Sequence, residues 1–174
     1  MTTTVLPAFA SAYAELDYSA IDYEYLRRVS QELVPFGKKV GTQITEIGPE
    51  RAVVEIPEDP QALNHFGSVH AGMLFTAADI AGASAFVGAA AEKLYTIERL
   101  VLRAGTDSYR KPAFGRIRAI ATVDLRELST ILAATESGRH EISGKAVLVD
   151  DNDVTVAKFV FDYICDVTIQ ETQA

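Results

Sequence analysis

Apolar residues recur with two different periods along the chain, and the change of period divides it into a helical first part and a strand-rich second part. Near the start, apolar positions separated mostly by four residues predict an amphipathic helix over residues 19–33, capped at Ser19 and ended by Pro35. These positions are Ile21, Tyr25, Val29 and Leu33, joined by Leu26. Residues 1–17 show no sustained period, and we interpret them as a tail.

A hairpin and a long apolar segment come next. Residues 40–47 and 51–56 are short β-branched runs separated by a Gly-Pro-Glu turn, which predicts two antiparallel strands. Residues 70–91 are small and apolar almost throughout, and Asp79 is the only one of them expected to be ionised. Because an aspartate at the centre of a bilayer would be costly, we interpret this segment as a helix buried in a protein core and not as a membrane span.

The rest of the chain carries strand patterns. Five runs rich in Val, Ile, Thr and aromatic residues predict strands over residues 97–104, 108–112, 116–128, 141–149 and 154–163. The third run alternates apolar and polar residues, as in a sheet with one buried face. This order of elements predicts an α+β fold in which a curved antiparallel sheet wraps around one long central helix. Such a sheet leaves an open edge or face, which favours oligomerisation.

Composition narrows the choice of function. The 174 residues are 48% hydrophobic and 23% charged, which indicates a globular chain. We divide it into an N-terminal tail and helix, residues 1–35, and a main domain, residues 36–174. Cys165 is the only cysteine, so a disulfide framework or a multi-cysteine zinc site is excluded. The net charge of −8 disfavours nucleic acid or a membrane as partner, and with no secretory leader pattern we expect a cytoplasmic protein.

The candidate chemistry lies between Asn64 and Asp79. Asp79 follows Gly72 by seven residues and Thr76 by three, so all three lie on about the same helix face. A carboxylate in an apolar helix is costly unless it is paired or functional. The first amides of a helix lack partners within it, so the N–H near Gly72 could polarise a carbonyl. Asp79 lies roughly 10 Å further along the helix axis, so the two could serve one substrate only across a dimer.

This segment resembles the hotdog-fold acyl-CoA thioesterases of the PaaI-like group. The pattern of that family is Asn, then His-Gly-Gly six residues later, then Asp seven residues after the second glycine. Asn64, His70, Gly72 and Asp79 occupy these positions, and Ala71 replaces the first glycine. The similarity extends over about residues 36–165.

The resemblance implies a hotdog fold with an extra N-terminal helix and the hydrolysis of an acyl- or aryl-CoA thioester. By this resemblance, Asp79 is the nucleophile or the general base, and the Gly72 amide polarises the thioester carbonyl. Asn64 helps to place the attacking water or the carbonyl, and His70 supports the loop. The chain would act as a homodimer or a dimer of dimers, with no cofactor beyond the coenzyme A carried by the substrate.

Six further residues are predicted to contact the substrate: His65, Thr76, Phe86, Tyr109, Arg110 and Lys111. Arg110 and Lys111 belong to a cluster of six cations between Arg99 and Arg118, which would either bind the phosphates of coenzyme A or form the solvated face of strands. Phe86 and Tyr109 would line an acyl pocket or belong to the core. No metal site is expected, because the two histidines at 65 and 70 lack a metal-binding spacing.

Two alternatives to a thioesterase stay open. The first is a hotdog module that binds acyl-CoA without catalysis, which the replacement at Ala71 leaves possible. The second, less favoured, is a hotdog acyl dehydratase, because such enzymes also pair a loop histidine with a helix carboxylate. Their carboxylate is normally Glu, whereas His65 is followed here by Asp79.

Overall fold

A six-stranded antiparallel sheet wraps around one long helix in the computed structural model, which describes residues 8–169. The strands are β1 (Gln43–Ile47), β2 (Ala52–Ile56), β3 (Ile97–Tyr109), β4 (Ile117–Val123), β5 (Gly138–Val149) and β6 (Thr155–Val167), in the order β1-β2-β4-β5-β6-β3. The helices are α1 (Ala8–Ser11), α2 (Tyr23–Leu33), α3 (Pro35–Val40), α4 (Ala71–Ala89) and α5 (Leu125–Leu132), with 3₁₀ turns at Pro60–Ala62 and Ala91–Thr96. The predicted α+β hotdog arrangement is confirmed.

Helix α4 is the central helix, and its small side chains let the sheet close around it. Four alanines, at positions 77, 78, 81 and 85, are almost wholly buried. A Cβ on Gly88 would lie 2.2 Å from the main-chain oxygen of Gly48, so only glycine permits this approach to the β1–β2 turn. By length and apolarity α4 could cross a membrane, but most of it is buried inside the protein, as the core helix of a globular domain is. The predicted core helix is thus confirmed.

The N-terminal helices differ in detail from the prediction. Helix α2 begins at Tyr23 because Asp22, and not Ser19, caps it by accepting from the main-chain N–H groups of Glu24 and Tyr25. Pro35 does not only end α2, since its fixed φ also suits the first turn of α3. The strand predicted from residue 40 therefore begins only at Gln43.

Two strand predictions in the second half need correction. The predicted strands 97–104 and 108–112 are one strand, β3, because Gly105 continues the ladder opposite Phe161. The predicted strand 116–128 ends at Val123, where Asp124 accepts from two main-chain N–H groups and starts α5. The alternation of apolar residues continues through Leu125 and so concealed this helix.

The described part of the N-terminal segment 1–35 shares its core with the main domain. Tyr13 and Leu16 are buried, and the Tyr13 hydroxyl contacts the Ser30 hydroxyl of α2 at 2.9 Å. Leu26 of α2 belongs to the same apolar cluster as the inner residues of the sheet. Residues 1–7 and 170–174, the outer ends of the predicted tail and main domain, lie outside the described residues.

Strand β3 forms one edge of the sheet, and its middle is open to solvent. It pairs with β6 on one side only, and residues 103–107 are all exposed. An edge strand presents main-chain N–H and C=O groups without partners, which is a template for pairing with another strand. The neighbouring strand in the sheet is β6, and α4 packs against the inner face of β6.

Candidate active site

Asp79 is a half-buried carboxylate on the central helix. Burial raises the pKa of its carboxyl group above the usual value, and a hydrogen bond from the Tyr163 side chain partly opposes this effect. The Tyr163 hydroxyl also lies 3.5 Å from the main-chain oxygen of Asp79. A carboxylate whose pKa is raised in this way is a stronger base than a solvated aspartate, which suits it for proton abstraction.

Tyr163 reaches Asp79 from the inner face of β6. Phe159, Phe161 and Tyr163 alternate along this strand, so all three point toward α4 and are buried. Gly82 of α4 leaves space for the hydroxyl, since a Cβ there would lie 2.2 Å from the tyrosine oxygen. Tyr163 is not recognisable as a site residue from the sequence alone, because an aromatic residue in an alternating strand is typical of a protein core. The available signal was Gly82, one helical turn after Asp79.

The start of α4 is capped by a histidine side chain. His70 is exposed, and its Nδ1 accepts a hydrogen bond of 2.9 Å from the main-chain N–H of Gly72. An Nδ1 atom that accepts a hydrogen bond carries no proton of its own. The Gly72 amide, predicted to polarise the carbonyl, is thus already hydrogen-bonded, and the imidazole must turn away before a substrate can accept from it. Thr76 donates its hydroxyl to the Gly72 carbonyl oxygen at 2.8 Å.

A groove of about 590 Å³, here called the cationic groove, lies on one side of the start of α4. Arg110, Lys111, Tyr109 and Asn64 line it, together with the exposed rings of Phe66 and Phe114. Four of the six clustered cations, those at positions 99, 103, 116 and 118, are paired with carboxylates. Arg110 and Lys111 have no ion pair within residues 8–169, so their charges are available to a ligand.

A second groove of about 530 Å³, the apolar groove, lies on the other side of the same helix terminus. Its apolar lining is Phe36, Leu63, Met73 and Phe75, and its polar lining is Gln61, His70, Gly72 and Thr76. Residues 71 and 74 line the cationic groove, whereas residues 72, 73, 75 and 76 line the apolar groove, so the helix start separates the two. Asp79 lines neither of them.

Three other predicted site residues, Asn64, His65 and Phe86, lie in different surroundings. The side chain of Asn64 holds its own loop, because Oδ1 accepts from the Phe66 amide at 2.9 Å and Nδ2 donates to the Ser68 hydroxyl at 2.9 Å. His65 is exposed and lies against Phe66, outside both grooves. Phe86 is fully buried, because α4 is apolar nearly all round and this position faces the core, and its contact with substrate stays a prediction.

Metal ligands do not cluster in this region. Within residues 8–169, no group of three His, Cys, Asp or Glu side chains is arranged as a metal site would require.

Solved structures confirm the fold and the resemblance stated from the sequence. A Pseudomonas aeruginosa protein of unknown function, named a probable thioesterase, is 26% identical over 83% of this chain and 95% of its own, with a TM-score of 0.68. The Escherichia coli PaaI protein, from the phenylacetic acid degradation operon, is 24% identical over 82% and 90%, with a TM-score of 0.59. A thioesterase family protein from Silicibacter pomeroyi is 18% identical over 84% and 99%, with a TM-score of 0.65.

Sequence similarity gives the family. No curated protein matches the chain significantly. Residues 23–164 match the family described as "Domain of unknown function (DUF4442)", a span that includes α2, strands β1 to β5 and most of β6. The chain is therefore a hotdog-fold member of the DUF4442 family.

Proposed function

We propose that this protein is an acyl-CoA thioesterase that hydrolyses an acyl- or aryl-CoA thioester to the free acid and coenzyme A. The observation that carries the proposal is the half-buried carboxylate of Asp79 on an otherwise apolar central helix. Burial raises the pKa of this carboxyl group. Similarity to a protein named a probable thioesterase supports the reaction class. The substrate itself supplies coenzyme A, and the reaction needs no further cofactor.

Asp79 acts on the thioester carbonyl in one of two ways. As a nucleophile, its carboxylate attacks the carbonyl carbon, the C–S bond breaks and coenzyme A leaves as the thiolate. Water then hydrolyses the acyl-aspartyl anhydride, which restores the carboxylate and supplies the proton that the thiolate takes up. As a general base, it takes a proton from water, the resulting hydroxide attacks the carbonyl carbon, and the departing thiolate receives the proton. In both routes the carbonyl oxygen becomes negative and is stabilised by main-chain amides at the start of α4 once His70 turns away from Gly72.

Two copies of the chain complete each site. Asp79 lies roughly 10 Å along α4 from Gly72, too far to act on a carbonyl that Gly72 holds in the same chain. In a homodimer, the α4 terminus of one subunit would face Asp79 of the other. The exposed middle of β3 supports this arrangement, because it offers an edge for antiparallel pairing between subunits. A dimer of dimers would keep the same two sites per pair.

The two grooves suit the two parts of the substrate. Arg110 and Lys111 would bind the phosphates of coenzyme A, and the exposed rings beside them would contact its adenine. The apolar groove would take the acyl group, because four apolar side chains line it beside Gly72. The thioester would then lie at the helix start that separates the two grooves.

One observation favours a second function, an acyl-CoA-binding module without catalysis. The Gly72 amide is hydrogen-bonded to His70 and so is not free to stabilise an oxyanion as the chain stands. A binding module would need the two grooves but no free amide. Only a measurement of turnover separates this function from hydrolysis.

The test is thiol release from short, medium, long and aromatic acyl-CoAs by the wild type and by Asp79→Asn and Asn64→Ala. We expect turnover of at least one substrate and a loss of about a hundredfold or more in kcat for Asp79→Asn. Asn64→Ala should act mainly through its loop and cost less. The matched control is Asp162→Asn, a carboxylate on the outer face of β6 beside Tyr163, which should retain activity.

Each other result has a definite meaning. Binding of acyl-CoA without thiol release would replace the thioesterase by the binding module. A protein that neither binds acyl-CoA nor releases thiol would overturn both functions. Turnover that survives Asp79→Asn would leave the reaction in place and exclude Asp79 from it.

A further inference from the structure

We propose that Tyr163 is a positioning residue that holds the Asp79 carboxylate in one orientation, and that Gly82 serves to admit its hydroxyl group. This inference rests on the proposed function, because it assigns Tyr163 a part in the reaction that Asp79 performs. Neither Tyr163 nor Gly82 belongs to the motif on which the sequence resemblance depends.

The first argument is the hydrogen bonding of the Tyr163 hydroxyl. The side chain is 1% exposed, and a hydroxyl buried to this degree is costly unless it finds a partner. Within residues 8–169 it donates to the main-chain oxygen of Asp79 at the long distance of 3.5 Å, and it lies near enough to the carboxylate of the same residue to lower the pKa of that group. The O–H can donate to a carboxylate oxygen only when that group is turned toward β6. In that arrangement a stronger, charge-assisted bond replaces the long main-chain contact, and this would favour one orientation of the Asp79 side chain.

The second argument is the space around the tyrosine ring. A Cβ on Gly82 would lie 2.2 Å from the hydroxyl oxygen, closer than any non-bonded contact allows. A Cβ on Gly144 of β5 would lie 3.2 Å from ring atom Cε2. Two glycines from different elements thus leave a slot that fits this ring and its hydroxyl. Gly82 follows Asp79 by three residues, so the slot and the carboxylate lie on one face of α4.

The third argument is rigidity. The Tyr163 ring contacts Phe161 with centroids 5.9 Å apart, and Phe161 in turn stacks on Phe159 at 5.8 Å. Phe75 of α4 contacts both phenylalanines edge to face at 5.9 Å. Because these aromatic rings pack along the row, the hydroxyl has little freedom to leave Asp79. A rigid donor beside a reactive carboxylate is what positioning requires.

The electrostatic surroundings of Asp79 are simple. Burial is the larger influence on its carboxyl pKa, and the hydrogen bond from Tyr163 is the opposing one. Among residues 8–169 no charged side chain shifts this pKa, and Tyr163 is the one titratable group that does. Removal of the tyrosine hydroxyl therefore has a single direct electrostatic consequence, a higher pKa of Asp79.

The test is Tyr163→Phe, with Tyr13→Phe as the matched control. Tyr13 is equally buried, but its hydroxyl contacts Ser30 of α2 at 2.9 Å instead of Asp79. Both variants lose one buried hydroxyl, so a similar loss of thermal stability is expected from both. Only Tyr163→Phe should lower kcat, by roughly tenfold with KM little changed, as expected for the loss of one hydrogen bond. Its acid limb in the pH profile of kcat/KM should move to higher pH.

A second readout does not depend on turnover. The Asp79 carboxyl carbon, labelled with ¹³C and titrated by NMR, should have a higher pKa in Tyr163→Phe than in the wild type or in Tyr13→Phe. If the wild type hydrolyses no thioester but this shift is found, the proposed function fails and the contact stands. An unchanged pKa together with an unchanged kcat would overturn the proposal and leave Tyr163 a core residue only.

Gly82→Ala provides an independent variant should Tyr163→Phe fold poorly. Its new methyl group would displace the hydroxyl from its slot while both functional side chains stay in the chain. The same fall in kcat and the same rise in the Asp79 pKa are expected. Activity and titration equal to those of the wild type would contradict the proposal.

Discussion

The main-chain N–H of Gly72 donates to Nδ1 of His70 at 2.9 Å. The histidine that caps α4 is thus hydrogen-bonded to the amide group nearest to the proposed reaction. A helix cap and an oxyanion donor are competing uses of one N–H group. In the proposed reaction, His70 would cap the helix while the site is empty and would turn away when a thioester binds.

Replacement of His70 should therefore affect stability more than chemistry. His70→Ala removes the cap and is expected to lower the free energy of unfolding by about 1 kcal/mol, whereas His70→Asn should retain most of it. Because neither variant removes the Gly72 N–H, kcat should stay within about tenfold of the wild type. Urea unfolding and thiol release measure the two effects. A loss of kcat in His70→Ala as large as that of Asp79→Asn would instead place the imidazole in the chemistry.

Coenzyme A should be recognised by the two cations of the cationic groove. The double variant Arg110→Ala with Lys111→Ala is expected to raise KM for acyl-CoA by roughly tenfold or more and to leave kcat nearly unchanged, because phosphate contacts are made equally in the ground and transition states. The effect should weaken at high salt. With the corresponding acyl-pantetheine, which lacks the nucleotide, the variant and the wild type should be equal.

The control for this prediction is Arg116→Ala. Arg116 belongs to the same stretch of cations but is paired with Asp151, so it should contribute little to binding. A KM increase as large as that of the double variant would show that overall positive charge, and not the groove, attracts the substrate. A KM increase with acyl-pantetheine would point to a distorted site.

Asp79 should reduce the stability of the fold at neutral pH. Burial raises its pKa in the folded state, so the folded protein binds a proton more tightly than the unfolded chain does. Stability is then gained as pH falls through the interval between the two pKa values and is lost as pH rises through it. Asp79→Asn is expected to unfold at higher urea concentration than the wild type at neutral pH, and this difference should shrink in acid.

Asp166 supplies the opposite case. Hydrogen bonds from Arg139 and Arg99 lower its pKa, so its ionised form stabilises the fold above the unfolded-state pKa and this contribution is lost in acid. Asp166→Asn should therefore lower the urea midpoint at neutral pH. If both variants shifted the midpoint in the same direction, the electrostatic interpretation of Asp79 would be wrong.

Much of the fold follows from local patterns. Length and small apolar residues identify α4, and alternation identifies the strands, because both signals belong to single segments. The errors arise where one pattern suits two structures: Pro35 can end one helix or begin the next, and the alternation up to Leu125 continues into α5. There the cap residue, Asp124, decides the outcome by its hydrogen bonds.

The candidate site was harder to predict because its contacts join distant residues. Asp79 is visible as a lone charge in an apolar helix, but its partner Tyr163 lies 84 positions away and is placed by the strand order of the sheet. The pairing of Gly72 with His70 depends on one side-chain rotamer, which no periodicity encodes. Phe86 shows a similar limit, because an all-round apolar helix does not indicate which of its faces meets a cavity and which meets the core.

The slot formed by Gly82 has a consequence for the evolution of the family. An alanine at this position collides with the hydroxyl of a tyrosine at position 163, and a phenylalanine at 163 removes the atom that is struck. The two positions should therefore change together, with glycine retained wherever the tyrosine is present. A member that lacks the tyrosine would be released from this constraint and would have to orient its aspartate by other means.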